Sequence, residues 1–185
     1  MRLLGSAVLL VLLAPGAAVA DARIRGLEVR LDGRRTLLDF RLEDGFGREV
    51  VERVQSGLAT SITYEFELLR DRKRWLDRPL ASGSLQVIAM FDAVASEYLV
   101  NYKLDGKLVE SRMVRSLEEL ERAMTRFEGV PAFTLEPLPR RWRLLVKARA
   151  LLGSRTLIWI LPTRVATDWQ ESDKFWAPRE LMPGG

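Results

Sequence analysis

Apolar and polar residues alternate with a period of two in segments along the chain, and this pattern constrains the fold more than any other feature. It is clear at 27–31, 62–68 and 98–104. Successive side chains of a β-strand point to opposite faces, so each segment predicts a strand with one buried face. Asp32-Gly33 and Asp105-Gly106 stand between such segments and are typical of hairpin turns.

Two segments have a helical spacing instead. Apolar residues recur every four positions over 46–56, which predicts one helix. Ser116 and Glu119 form a capping box, so a second helix is predicted to start there. Its apolar stripe extends to Phe127, and Gly129 is predicted to end it.

Further strands complete the pattern. The run from Leu85 to Phe91 is apolar on nearly both parities, which predicts a strand covered on both faces. Segments 130–135 and 142–149 are predicted strands as well, so the order hairpin, helix, strand, strand occurs twice. The pattern therefore leaves open whether the chain contains an internal duplication.

Together these elements predict a mainly β domain, α+β by strict count. We expect an antiparallel β-sandwich-like fold of about eight strands with two short helices. A single β-rich domain is expected over 21–161. Residues 162–185 are irregular in pattern but rich in tryptophan, so we expect them to form a strap that packs back onto the domain.

Residues 1–20 read as a secretory signal peptide. Arg2 precedes an apolar run over 3–13, and Ala18-Val19-Ala20 fits an Ala-x-Ala cleavage site. The run is too short to span a bilayer, which needs about 20 apolar residues. We expect cleavage after Ala20, a periplasmic or secreted location and no transmembrane segment in the mature chain, with a retained anchor as the alternative.

The chain contains no cysteine and no histidine. Disulfides, Ser-His and Cys-His pairs and the usual zinc sites are therefore excluded. Glu65 and Glu67 would share a strand face about 7 Å apart, inside the range of an inverting glycosidase pair. Such glutamates are far more often solvent-facing, and the acidic segment 168–173 lacks the spacing of a calcium loop. We expect no enzyme activity, no cofactor and no metal site.

Basic residues outnumber acidic ones by 29 to 25. Two basic clusters are candidate partner-binding surfaces, although a solvated face is the ordinary explanation of each. The loop around Trp75 combines positive charge with an aromatic anchor, and a row with period-two spacing places cations on one strand face. The candidates are Arg72, Lys73, Arg74 and Trp75 in the loop and Arg141, Arg143, Lys147 and Arg149 in the row.

Leu157 to Leu161 is an apolar run without alternation. Five residues cannot span a bilayer, so a buried strand is favoured over a docking patch. Together with the apolar strand at 85–91, the run leaves open a cleft between the sheets that holds an acyl chain.

Short motifs along the mature chain resemble a known family. They are Ser56-Gly57-Leu58, Tyr64-Glu65-Phe66-Glu67-Leu68-Leu69-Arg70, Trp75-Leu76-Asp77, Phe91-Asp92 before Tyr98, Ser116-Leu117-Glu118, and the Trp-rich segment 169–176. The sequence is similar over nearly the whole mature chain to the bacterial exported family named domain of unknown function 4390. The resemblance carries over no activity and no catalytic residue, and it implies a role in envelope signalling.

These observations favour an exported, non-enzymatic binding or interaction module. Its expected partner is an envelope protein or an anionic envelope surface, either lipid headgroups or a polymer. Nucleic acid is not an expected partner outside the cytoplasm. A carrier or sensor of an amphiphilic, lipid-like ligand is the alternative, and a carboxylate-dependent hydrolase comes third.

Overall fold

The computed structural model describes residues 22–71, 78–138, 141–157 and 161–182, with the backbone alone at 78, 153–157, 161–164 and 180. These residues form eleven strands, two α-helices and a short 3-10 turn. The elements are β1 (Arg23–Asp32), β2 (Arg35–Glu43), α1 (Arg48–Gln55), β3 (Thr60–Arg70), β4 (Arg78–Asp92), β5 (Glu97–Leu104), β6 (Lys107–Val114), α2 (Leu117–Thr125), β7 (Arg126–Thr134), β8 (Arg143–Leu157), β9 (Leu161–Ala166), β10 (Gln170–Glu171), β11 (Phe175–Trp176) and the 3-10 turn (Arg179–Leu181).

The strands form two antiparallel sheets. The small sheet has the order β1-β2-β7. The large sheet runs β8-β3-β4-β5-β6, and β9, β10 and β11 all pair with the other edge of β8. The predicted mainly β, sandwich-like fold with two helices is confirmed. The strand count exceeds the predicted eight because the C-terminal segment contributes three short strands.

Both predicted hairpins are present. The first reverses through a two-residue turn at Gly33 and Arg34, one position later than the sequence signal, with Gly33 at φ 57°. The second reverses at Asp105 and Gly106, whose φ angles are 46° and 78°. Positive φ at both central residues is what a tight hairpin turn of this hand requires, and Asp-Gly tolerates it. Turn chemistry therefore placed the second reversal correctly and the first to within one residue.

The core lies between the two sheets. Ile62, Tyr64, Phe66 and Leu68 of β3 point inward and are at most 2% exposed, as the alternation predicts. Tyr64 and Phe66 meet Phe40 of β2 at ring-centroid distances of 5.1 and 5.5 Å. These side chains fill the space between the sheets, where the sequence left open an apolar cleft.

Helix α2 ends earlier than the sequence predicts. The helix stops at Thr125, and β7 begins at the next residue. Phe127 was predicted to end the helical stripe, but it is a core residue of β7, 4.9 Å from the ring of Phe40. Gly129, at φ 69°, lies where the β2–β7 register shifts and does not end the helix. Pairing with β2 therefore overrides the helical spacing.

Two buried tyrosines complete the C-terminal end of α2. The hydroxyl of Tyr64 donates to the carbonyl oxygen of Met124 at 2.7 Å, and that of Tyr102 donates to the carbonyl oxygen of Ala123 at 3.0 Å. The last carbonyls of a helix have no partner within the helix. Burial raises the pKa of Tyr64 well above its ordinary value, so the hydroxyl remains a donor.

The prediction that Leu85 to Phe91 is covered on both faces is wrong. Leu85, Val87 and Ala89 point into the core, but Met90 on the other face is 37% exposed. Ile88 on that face is only half-buried, as is Phe91 near the end of the strand, so in the described part of the chain the outer face of this strand meets solvent in part.

The repeated element order exists, but the pairings do not repeat. Hairpin, helix, strand, strand describes both β1 to β4 and β5 to β8. In the first unit the second hairpin strand, β2, pairs with β7, whereas in the second unit it is the first hairpin strand, β5, that pairs with β4. The two units therefore share the order of their elements but differ in how their strands are distributed between the two sheets.

The C-terminal segment, which we call the strap (residues 161–182), runs along β8. Buried Thr167 donates its backbone N–H to the carbonyl oxygen of Ala150 at 2.9 Å and accepts the N–H of Ala150 on its hydroxyl at 3.0 Å. Five residues later, buried Ser172 pairs with Val146 in the same way. Its backbone N–H donates to the carbonyl oxygen of Val146 at 2.9 Å, and its hydroxyl accepts the N–H of Val146 at 3.0 Å. Each hydroxyl replaces a backbone carbonyl that an uninterrupted strand would offer.

The strap is more regular than the sequence indicates, and it does not bury all of its aromatic residues. Ala177 is fully buried and donates to the carbonyl oxygen of Trp142 at 2.9 Å. Leu181 is 4% exposed, but Trp176, which was expected to be covered, is 53% exposed. The apolar run at 157–161 falls largely outside the described residues: Leu157 ends β8, Leu161 begins β9, and 158–160 are not described.

Candidate interaction surfaces

The predicted cationic row lies at the N-terminal half of β8, and its charges are engaged within the fold. Arg149 forms an ion pair with Glu65 of β3 at 2.6 Å, which also removes that glutamate from an open carboxylate pair. Lys147 pairs with Glu171 of the strap at 2.8 Å. Arg143 lies 3.7 Å from Asp71.

Two of these cations also lie over strap tryptophans. The guanidinium of Arg149 is 4.5 Å from the ring centroid of Trp169, and that of Arg141 is 5.3 Å from Trp176. Arg141 precedes β8, and Leu145, at the same parity as the row, is 1% exposed. Arg141, Lys147 and Arg149 therefore contact the strap, while Arg141 and Arg143 remain exposed. A role of the row in partner binding stays a prediction.

The other predicted cluster, Arg72, Lys73, Arg74 and Trp75, lies outside the described residues. Its role stays a prediction. The acidic segment 168–173 is used structurally, since Glu171 pairs with Lys147 and the Ser172 hydroxyl donates to the carbonyl oxygen of Asp173. Within the part of the chain that the structure describes, no three acidic side chains are grouped so as to hold a metal ion.

Strand β6 is a surface that the sequence analysis missed. It is the outermost strand of the large sheet, and seven of its eight residues are exposed. Leu108, Val109 and Met113 keep 59%, 55% and 43% of their surface accessible. A sequence signal existed: the strand that follows Asp105-Gly106 carries apolar residues without the alternation of a half-buried strand.

A groove of about 580 Å³ lies beside the inner face of β6. Its walls come from β5, β6, α2 and β7, and include Leu104, Val109 and Val130. Arg112 of β6 bonds Glu110 at 2.6 Å and lies 5.1 Å from the ring centroid of Tyr102. The groove thus combines apolar walls with charged side chains from β6, α2 and β7, an arrangement suited to side chains of an extended peptide.

The fold and these surfaces define a two-layer antiparallel β-protein whose large sheet has one edge covered by the strap and one open edge at β6. Over residues 19–170 the chain matches the family described as a domain of unknown function (DUF4390), and it belongs to that family. The resemblance seen in the sequence is confirmed. No curated protein and no solved structure matches the chain.

Neither α-helix in the described residues combines the length and the apolar character that a membrane-crossing helix needs.

Proposed function

We propose that this chain is an exported, non-enzymatic interaction module that holds an extended segment of another envelope protein along β6. One observation carries the proposal: one edge of the large sheet is covered by further strands and the other is not. The strap covers the edge at β8, whereas β6 pairs with β5 and, among the described residues, with no further strand. An edge strand presents unpaired backbone groups, and proteins usually protect such edges.

Strand addition fits this edge better than binding through side chains alone. A partner strand would form backbone hydrogen bonds along β6, and alternate side chains would reach the groove beneath it. Leu108 and Met113 add apolar area that a partner would remove from water. The lack of histidine and cysteine supports a binding role over catalysis.

Photocrosslinking in cells tests the partner and its position. A photoreactive amino acid at Ser111 of the full-length chain should crosslink to one other envelope protein. The substitutions Leu108→Lys and Met113→Lys together should reduce that yield at least about tenfold, because they place charge where apolar area is buried. Exposed changes of this kind usually alter stability by no more than about 0.5 kcal/mol, so the loss would report binding.

The matched control is Leu58→Lys with Val94→Lys, two exposed apolar residues away from β6. This pair should leave the crosslink unchanged. Crosslinking to a second copy of the chain would make β6 a self-association edge and would refute the proposed partner. Equal yields in the two double variants, or no crosslink at all, would show that β6 is not the binding surface.

Export is supported by the Ala18-Val19-Ala20 site behind the apolar run, which lies outside the described residues. N-terminal sequencing of the protein from the envelope fraction should begin at Asp21. Ala20→Arg should leave the signal attached, because the cleavage site needs small residues. A start at Met1 in the membrane fraction of the unchanged protein would instead mean a retained anchor.

A further inference from the structure

Three arginines face one another across the small sheet. Arg25 of β1 is the register partner of Arg41 of β2, and Arg41 is the partner of Arg126 of β7. Like charges directly opposite each other in a sheet are destabilising. The arrangement therefore costs folding free energy that nothing in the hydrophobic core requires.

The acidic residues of this face neutralise the row only in part. Glu43 is shared, lying 2.9 Å from Arg41 and 3.7 Å from Arg25. In the described part of the chain Arg126 forms neither an ion pair nor a side-chain hydrogen bond, and it is exposed. The row thus keeps an excess of positive charge at one end of the sheet.

The acidic residues at the other end of the face surround Arg30 and do not neutralise the row. Asp39 accepts two hydrogen bonds from Arg30 at 2.6 and 2.7 Å, and a third from the backbone N–H of Gly129. These bonds, led by the Arg30 side chain, lower the pKa of Asp39. The hydrogen bond to Asp39 and the charge of Asp39 raise the pKa of Arg30, and the nearby charges of Glu128 and Glu28 raise it further. The two ends of the face therefore carry opposite charge.

A groove of about 610 Å³ lies over this face. All three arginines line it at one end, and Arg30, Glu28, Asp39 and Glu128 line it as well. Gly26 lies in it at φ 61°, where the register of β1 shifts by a bulge. Nη1 of Arg41 lies 3.5 Å from the position that a Cβ at Gly26 would take, so the glycine leaves room for this guanidinium in the groove. Arg25 and Arg41 are both exposed. Adjacent strands are about 4.8 Å apart, so the three arginines span about 10 Å.

We propose that the row formed by Arg25, Arg41 and Arg126 binds a phosphoryl group, from free phosphate or from an anionic lipid headgroup. Guanidinium forks match phosphate oxygens with paired, charge-assisted hydrogen bonds. A bound dianion would also relieve the repulsion between the three cations. This site lies on the small sheet. Arg126 also lines the groove beside β6, but phosphate and vesicles probe the site without the partner proposed for β6.

Inorganic phosphate is the first probe, used with the full mature chain. Phosphate should raise the melting temperature, because a ligand that binds only the folded state stabilises it. Arg41→Gln with Arg126→Gln should weaken the apparent affinity by about tenfold or more, since each removes hydrogen bonds to a charged group. Arg126→Gln alone should melt without phosphate at an unchanged or higher temperature, which shows that the variant folds.

The matched control is Arg35→Gln with Arg48→Gln, which removes the same charge from exposed positions outside the row. Vesicles of phosphatidylglycerol in phosphatidylcholine, compared with phosphatidylcholine alone, distinguish the two sources of the phosphoryl group. Cosedimentation with the anionic vesicles, lost in Arg41→Gln/Arg126→Gln but kept in the control, assigns a headgroup; a phosphate-dependent shift without cosedimentation assigns free phosphate. Binding that is absent in both arms, or equal in the two double variants, would overturn the proposal.

Discussion

Replacing Phe40 with alanine is expected to lower the free energy of unfolding by about 3–5 kcal/mol. Phe40 is 4% exposed and contacts Tyr64, Phe66 and Phe127 with centroid distances between 4.9 and 5.5 Å. These rings come from strands in both sheets, so truncation at Phe40 opens a cavity at the contact that joins the layers. Native domains have only about 5–15 kcal/mol of stability, and the variant would be marginal.

Urea denaturation followed by circular dichroism measures this effect. Phe40→Leu should cost clearly less than Phe40→Ala, because it retains most of the buried apolar volume. Phe46→Ala, the same truncation at a half-buried ring beside the core, should also be milder. Equal losses at Phe40 and Phe46 would mean that the aromatic cluster is not the centre of the core.

Removing the two strap hydroxyls together, with Thr167→Val and Ser172→Ala, is expected to cost about 2–6 kcal/mol. Each substitution leaves a buried N–H of β8, at Ala150 or Val146, without its acceptor, and an unsatisfied buried group costs about 1–3 kcal/mol. The strap should then detach before the rest of the fold. Hydrogen exchange at Val146 and Ala150 should become faster, and proteases should cut the strap sooner.

The neighbouring strand β3 offers a control with the same chemistry. Thr63→Val with Ser61→Ala removes two hydroxyls that are half-buried and make no hydrogen bond within the described residues. This pair should leave exchange at Val146 and Ala150 unchanged. Similar exchange rates in the strap variant and the control would show that backbone pairing alone holds the strap.

Features that depend on neighbouring residues were predictable from the sequence. The alternation in β3 identified the inward-facing residues, and Asp105-Gly106 placed the second hairpin turn. The capping box is also present, since the N–H of Glu119 donates to the Ser116 hydroxyl at 3.1 Å. The end of α2 was not predictable, because pairing of Phe127 with Phe40 in another strand decides it.

The candidate surfaces depended on contacts between distant parts of the chain. The row at Arg143, Lys147 and Arg149 looks open in sequence, and its partners come from other segments of the chain. The missing alternation in β6 hinted that neither face of the strand is buried, but its place at the edge follows from which strand ends the sheet. A local sequence pattern predicts a strand, but it does not predict which strands lie beside it.

The sequence by itself determined the eight main strands, both hairpins and the buried face of β3, because period-two spacing and Asp-Gly geometry follow from covalent structure and local sterics. Only the tertiary structure decided which strands became neighbours. The pairing of β2 with β7 brings Arg41 opposite Arg126, and the pairing of the strap with β8 covers one edge while β6 stays open. Those pairings are selected by the burial of the whole core. The free energy of that burial comes from residues far apart in the chain, so no local segment of sequence predicts the pairings.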